Sequence, residues 1–164
     1  MTAASQFTFR KATSADVDTI HTLILELATA TGELHRVTGT PADFLEHGFG
    51  NPPAFEVILA ERDSIAVGMA LYFFTFSTWW GRPGLYLQDL VVVDSARGQG
   101  LGTLLMEETA RAAVAAGATH IRLSVDAAND RAQSFYERCG LTECTDEQLY
   151  MIAKDKLDTL AGLS

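Results

Sequence analysis

Between residues 97 and 103 the chain reads Arg97-Gly98-Gln99-Gly100-Leu101-Gly102-Thr103, directly after the apolar run Leu90-Val91-Val92-Val93. Glycines at alternate positions let backbone N–H groups turn toward one point with no side chain in the way. A helix starting there adds the positive end of its dipole. Such a turn holds an anion, and a pyrophosphate is the occupant that suits a row of amides. Spacing excludes two common nucleotide motifs. Gly98, Gly100 and Gly102 form G-x-G-x-G rather than the dinucleotide fingerprint G-x-G-x-x-G, and no Gly-Lys-Ser/Thr follows, as a nucleoside triphosphate loop requires.

Other reactive residue types are sparse. Histidines 21, 35, 47 and 120 form no i, i+4 pair, and Cys139 and Cys144 fit no metal-ligand spacing, so no metal is expected and the cysteines read as small core hydrophobes. A net charge of −9 opposes binding to nucleic acid through phosphate neutralisation, while it favours a cationic substrate. The longest apolar stretch, Val67 to Phe76, is about half of a membrane span, and residues 1–30 carry no leader pattern. A cytoplasmic protein without a membrane partner is expected.

The elements that must position the turn follow from periodicity. With 164 residues, 48% apolar and 20% charged, and no repeats or linker, the chain is expected to be one domain over 1–164. Phe7 and Phe9 suggest a first strand. Thr13 and Asp16 stand in capping-box spacing before a helix to about Ala30, and Thr40-Pro41 opens a second helix ending near Gly48. Ala54–Ala60 and Ile65–Phe76 read as a hairpin joined by residues 61–64, followed by a strand Leu85–Val93 and a helix from about Gly100 to Ala116. A strand over Ile121–Val125, a helix from Asn129-Asp130 to Arg138 and a last strand Leu149–Ala153 complete the order β-α-α-β-β-β-α-β-α-β. The expected class is mixed α/β with a partly antiparallel sheet.

The strand–turn–helix with R-x-x-G-x-G resembles the acetyl-CoA pyrophosphate loop of the GNAT N-acetyltransferase superfamily. Asn129 to Tyr136 followed by Gly140 is similar to that family's N-x-x-x-x-x-F-Y-x-x-x-G signature. Glu46-His47-Gly48-Phe49-Gly50, Tyr72-Phe73-Phe74-Thr75-Phe76, Thr78-Trp79-Trp80-Gly81 and Leu85-Tyr86-Leu87-Gln88-Asp89-Leu90 resemble its spermidine/spermine (diamine) acetyltransferase branch. The resemblance covers nearly the whole chain. It implies the GNAT fold: a twisted, mostly antiparallel sheet with a splayed central strand pair and helices on both faces. It also implies a homodimer, and direct attack of a small-molecule amine on acetyl-CoA in a ternary complex.

Roles follow from the resemblance. Arg97 to Thr103 are expected at the coenzyme phosphates, joined by Asn129, Arg131 and Ala132 at the start of the later helix. Backbone N–H groups of Leu90, Val91 and Val92 are expected along the pantetheine arm. Tyr136 is expected to protonate the departing thiolate, since a phenol with a pKa of about 10 stays protonated at neutral pH. The diamine branch has glutamate at the position of Gln88, and glutamine has no titratable carboxylate. Gln88 could order a water that carries the proton away. Asp89 points to the opposite face of a regular strand unless a bulge turns it. Glu33 and His35 lie in the expected acceptor-binding loop and are alternative bases. The Ala30-Thr31-Gly32 segment lacks the aromatic and acidic residues with which the branch grips polyamines. Trp79 and Trp80 could contact a cation or form a dimer patch. Acceptors expected are polyamines, thialysine-like amino acids or related amines; the alternatives are a protein or antibiotic amine, or a non-catalytic acyl-CoA-binding module.

Overall fold

The computed structural model describes residues 6–163, which form two compact units divided after Asp126. The first is built on a five-stranded sheet. Strand β1 (Thr8–Lys11) leads through a 3-10 turn, Ser14–Asp16, into helix α1 (Val17–Ala30). The capping box at that entry is realised: the Thr13 N–H and hydroxyl donate to Asp16 Oδ2 at 2.7 and 3.0 Å. Arg10 adds two bonds of 2.8 Å to the same carboxylate and holds it well below the usual carboxylate range. A second capping box, between Thr40 and Asp43 with Pro41 in the first turn, starts α2 (Pro41–Phe49).

Strands β2 (Glu56–Arg62) and β3 (Ile65–Ser77) form the expected hairpin with a tighter turn. Arg62 pairs with Ile65, leaving two loop residues, Asp63 and Ser64, both at positive φ. That is the mirror-image turn whose twist suits a hairpin. Strand β4 (Arg82–Val92) begins three residues before its expected start. Pairing to β3 extends down to Ser77↔Arg82, because Pro83 and Gly84 are accommodated in the ladder.

The sheet order is β1-β2-β3-β4-β5, antiparallel throughout except that β5 (Ile121–Arg122) runs parallel to β4. Contact between β4 and β5 is confined to Leu85↔Ile121 and Tyr86↔Arg122. The strand expected over Ile121–Val125 therefore shrinks to two residues, and past Tyr86 the far edge of β4 has no strand partner among the described residues. This is the splayed pair. On one face, Ile20 and Leu23 of α1 pack on Val57, Leu59, Met69, Leu71 and Val91. Helix α3 (Leu101–Ala115) covers the other face.

The second unit contains α4 (Asp130–Arg138) and α5 (Lys154–Leu160). Asn129 caps α4, its Oδ1 accepting from the Ala132 N–H at 3.0 Å. The strand expected over Leu149–Ala153 is absent. A strand exists by pairing its backbone with a neighbour, and this segment has no ladder partner among the described residues, so Leu149, Tyr150 and Met151 stand exposed. Cys144 is likewise exposed, so it is not the core hydrophobe expected; Cys139 is half-buried.

Candidate active site

The turn between β4 and α3 has the conformation its glycines suggest. After a 3-10 turn at Asp94–Ala96, Gly98 and Gly100 take φ of 72° and 80°, left-handed backbone that residues with a Cβ avoid. Gly100 is the N-cap of α3 and offers no side chain to satisfy the helix's first N–H groups. From Gly98 to Thr103 no backbone N–H donates to a protein acceptor among the described residues. Six successive donors at a helix start suit a diphosphate, the group the resemblance leads one to expect here. The Leu101 side chain is buried, so Leu101 would offer a ligand its amide alone, whereas Thr103 is exposed and carries a hydroxyl beside its amide.

The surrounding side chains hold the turn. Arg97 bonds the Val92 carbonyl through Nε at 3.1 Å and pairs with Asp94, which makes it an anchor of the loop as well as a positive charge beside it. Gln99 donates to the Ser95 carbonyl at 2.9 Å, and its Oε1 accepts from Arg62 Nη1 at 3.2 Å. Gly68 of β3 lets the first turn of α3 approach the sheet. A Cβ there would stand 2.7 Å from the Val91 carbonyl oxygen and 3.2 and 3.3 Å from methyl carbons of Leu105 and Leu101. Among these supports, Gly68 was detectable as a glycine inside a strand pattern. Arg62 carries no mark in the sequence, because its partner is 37 positions away.

Strand β4 passes Gln88 and Asp89 through a β-bulge. Tyr72 pairs with Leu87 and Leu71 with Asp89, so Gln88 is the extra residue. Before the bulge, Leu85 and Leu87 lie opposite Phe74 and Tyr72, and Tyr86 lies opposite Phe73 on the other face. Beyond it, Asp89 and Val91 lie opposite Leu71 and Met69, which belong to the α1 face. The bulge thus turns Asp89 onto the face that Tyr86 occupies. The two rings of Phe73 and Tyr86 stack there with centroids 5.1 Å apart, and Tyr86 Oη is 2.7 Å from Ser124 Oγ. Gln88 is exposed. Asp89 is half-buried, and burial pushes its carboxyl up to about 6. Leu90, Val91 and Val92 follow on the part of β4 that β5 leaves uncovered.

The loop after α1 brings a different result. Glu33 is ion-paired to Arg36, and His35 sits exposed in the 3-10 turn Leu34–Arg36. The loop is tied back to α1 where His21 Nε2 meets the Gly39 carbonyl at 3.0 Å. In the second unit, Tyr136 is half-buried on α4, its ring edge-on to Phe135 with centroids 5.1 Å apart. Asn129 and the Ala132 amide are bonded to each other in the cap, and Arg131 is exposed. At the far end of the β3–β4 hairpin Trp79 is 94% exposed, while Trp80 packs edge-on against His120. Among the described residues no group of three His, Cys, Asp or Glu could hold a metal ion, and no helix is long and apolar enough to cross a membrane.

Residues 21–141 match the family model described as the acetyltransferase (GNAT) family. A thialysine N-epsilon-acetyltransferase of Mus musculus is 33% identical over 147 residues, spanning 85% of this chain and 86% of its own length. A spermidine/spermine N(1)-acetyltransferase-like protein 1 of Homo sapiens is 29% identical over 154 residues, 90% of this chain and 22% of that much longer protein. Among solved structures, an integron cassette protein from the mobile metagenome of V. cholerae superposes with a TM-score of 0.80 at 22% identity, covering 95% of this chain and 98% of that one. At that identity the last similarity speaks for the fold.

Proposed function

The chain belongs to the acetyltransferase (GNAT) family, and from that membership we propose that this N-acetyltransferase moves an acetyl group from acetyl-CoA to a primary amine of a small molecule. The observation that carries the reading is the row of amides from Gly98 to Thr103 with no protein acceptor among the described residues. These amides hold the diphosphate, with Arg97 adding charge beside them. The Val93 N–H donates to the Val67 carbonyl, so Val91, two residues away, also turns its N–H to β3, and the uncovered edge offers the N–H groups of Leu90 and Val92 to the pantetheine arm and to the carbonyl oxygen as negative charge develops on it. Acetyl-CoA supplies an activated thioester.

Amine and coenzyme bind together, and the amine attacks directly, because holding both reactants in one site replaces a bimolecular encounter. Tyr136 gives its phenolic proton to the thiolate as the carbon–sulfur bond breaks. The acceptor lies on the α1 face of β4, beside Gln88 and Asp89. Glu33 and His35 of the loop after α1 are further candidates to contact it, and the stacked pair Phe73 and Tyr86 offers π faces to an ammonium. Thialysine, polyamines and related amines form the acceptor class, in keeping with the activities named for the relatives. The net charge of −9 assists capture of a cation. The whole chain serves as one catalytic domain of a cytoplasmic homodimer, and the exposed rings of Phe76 and Trp79 support pairing of two copies.

A thiol-release assay with acetyl-CoA and a panel of amines, run beside calorimetry with acetyl-CoA alone, tests the reading. Turnover with thialysine or a polyamine supports it. Tight coenzyme binding without turnover on any amine would make the chain an acyl-CoA-binding module. Absence of binding would remove the assignment.

A further inference from the structure

At the position where the resembling branch carries a glutamate this chain has Gln88, so that carboxylate is missing. The fold supplies a carboxylate one residue later. On a regular strand the residue after Tyr86 on the same face is 88, and Asp89 faces α3. Here the extra residue at 88 hands that place to Asp89, which lies opposite Leu71 in line with the Phe73 and Tyr86 rings. We propose that Asp89 takes the proton from the acceptor ammonium, in place of the carboxylate that position 88 lacks; this rests on the acetyltransferase reading above.

Three observations support the assignment. No side chain or backbone group among the described residues donates to the Asp89 carboxylate, so its lone pairs remain available. No buried side-chain oxygen among the described residues lacks a partner, so the unpartnered Asp89 oxygens keep contact with solvent and can be reached. Burial also places the carboxyl near 6, where it is ionised at neutral pH yet more basic than an ordinary aspartate.

Charged groups also stand on the elements packed on this face. On α1 they are Asp18, His21 and Glu26; on α2, Asp43, Glu46 and His47; between them, Glu33, His35 and Arg36. None acts on Asp89, whose shift has burial as its one cause. On β4 the neighbouring titratable group is Tyr86, whose hydroxyl is engaged with Ser124.

In the step, one ammonium proton passes to Asp89 and the freed nitrogen pair forms the bond to the thioester carbon. The carbon–sulfur bond breaks, and the thiolate takes a proton. The second nitrogen proton balances that transfer, and Asp89 returns its proton to solvent. The sum is one amide, one thiol and one released proton.

The test is a pH–rate profile of kcat/KM for the amine with acetyl-CoA saturating, on wild type and on Asp89→Asn. We expect an acidic limb near pH 6 in wild type, and a fall in kcat of about 10²- to 10⁴-fold in the variant with that limb gone. Its affinity for acetyl-CoA should stay within about twofold. A variant of near wild-type rate with the limb intact overturns the role of Asp89 and leaves the acetyltransferase reading standing. A wild type silent toward every amine removes both. If Asp89→Asn fails to fold, the wild-type protein still decides: the carboxyl carbon of Asp89, followed by NMR, must titrate together with the kinetic limb. A separation of more than about one pH unit sinks the proposal.

Discussion

Gly68→Ala is a small change with two separable consequences. The added methyl carbon would meet the Val91 carbonyl oxygen at 2.7 Å, a backbone atom that yields only if β4 moves. It would also press on Leu101 and Leu105, which are essentially inaccessible to solvent and seat the first turn of α3. Overpacking of this kind costs about 1–3 kcal/mol. For a chain of this size each kcal/mol lowers Tm by about 2–4 °C, so a fall of about 2–12 °C is expected. The relief available is a shift of α3 away from the sheet, and α3 carries the amides of Leu101, Gly102 and Thr103. Affinity for acetyl-CoA should therefore fall by more than the affinity for the amine. Thermal denaturation and calorimetry with acetyl-CoA measure both effects. A Gly68→Ala protein that melts with wild type and binds acetyl-CoA equally well would refute the close approach of helix to strand as the support of the turn. Gly98→Ala is the control: nothing lies within 4 Å of its Cβ, so any loss there comes from the φ of 72° alone.

Tyr136→Phe should lower kcat by about ten- to a thousand-fold while acetyl-CoA affinity changes little; equal turnover rules out the acid role. Arg62→Ala should weaken acetyl-CoA binding severalfold and leave kcat nearly intact, since it removes one of the two bonds on the Gln99 side chain without touching the acceptor face; calorimetry beside steady-state kinetics reads the difference. Asp16→Asn should destabilise by about 1–3 kcal/mol at pH 7, because it breaks charge-assisted bonds from Arg10. The folded Asp16 carboxyl lies below its unfolded value, so its contribution is full above about pH 4 and drains as pH falls toward the folded value. Urea unfolding of both proteins at pH 7, 5 and 3 should show the gap narrowing in acid.

Most of the fold was legible because its signals are local. The capping boxes at Thr13 and Thr40, the Asn129 cap and the glycine turn all declare themselves within a few residues. The elements that failed depend on partners far along the chain. Whether Ile121–Val125 extends as a strand depends on how far β4 stays beside it, and Leu149–Ala153 has the composition of a strand without a ladder to join. The site divides along the same line. Glycines 98 and 100 could be read from spacing, whereas the side on which Asp89 emerges depends on one unpaired residue in a register between distant strands. The burial that sets its carboxyl apart is likewise a property of packing.

Helix α3 begins at a glycine that cannot cap it, and the donors of its first turn are left to whatever anion arrives. The coenzyme is in this sense a missing piece of secondary structure, and binding it should add to the stability of the native chain. Mass action puts that gain at about 2.7 kcal/mol when free ligand is a hundred times its Kd. Resistance to proteolysis should then rise and fall with the acyl-CoA supply, so that the amount of enzyme surviving in a cell follows the abundance of the donor it consumes.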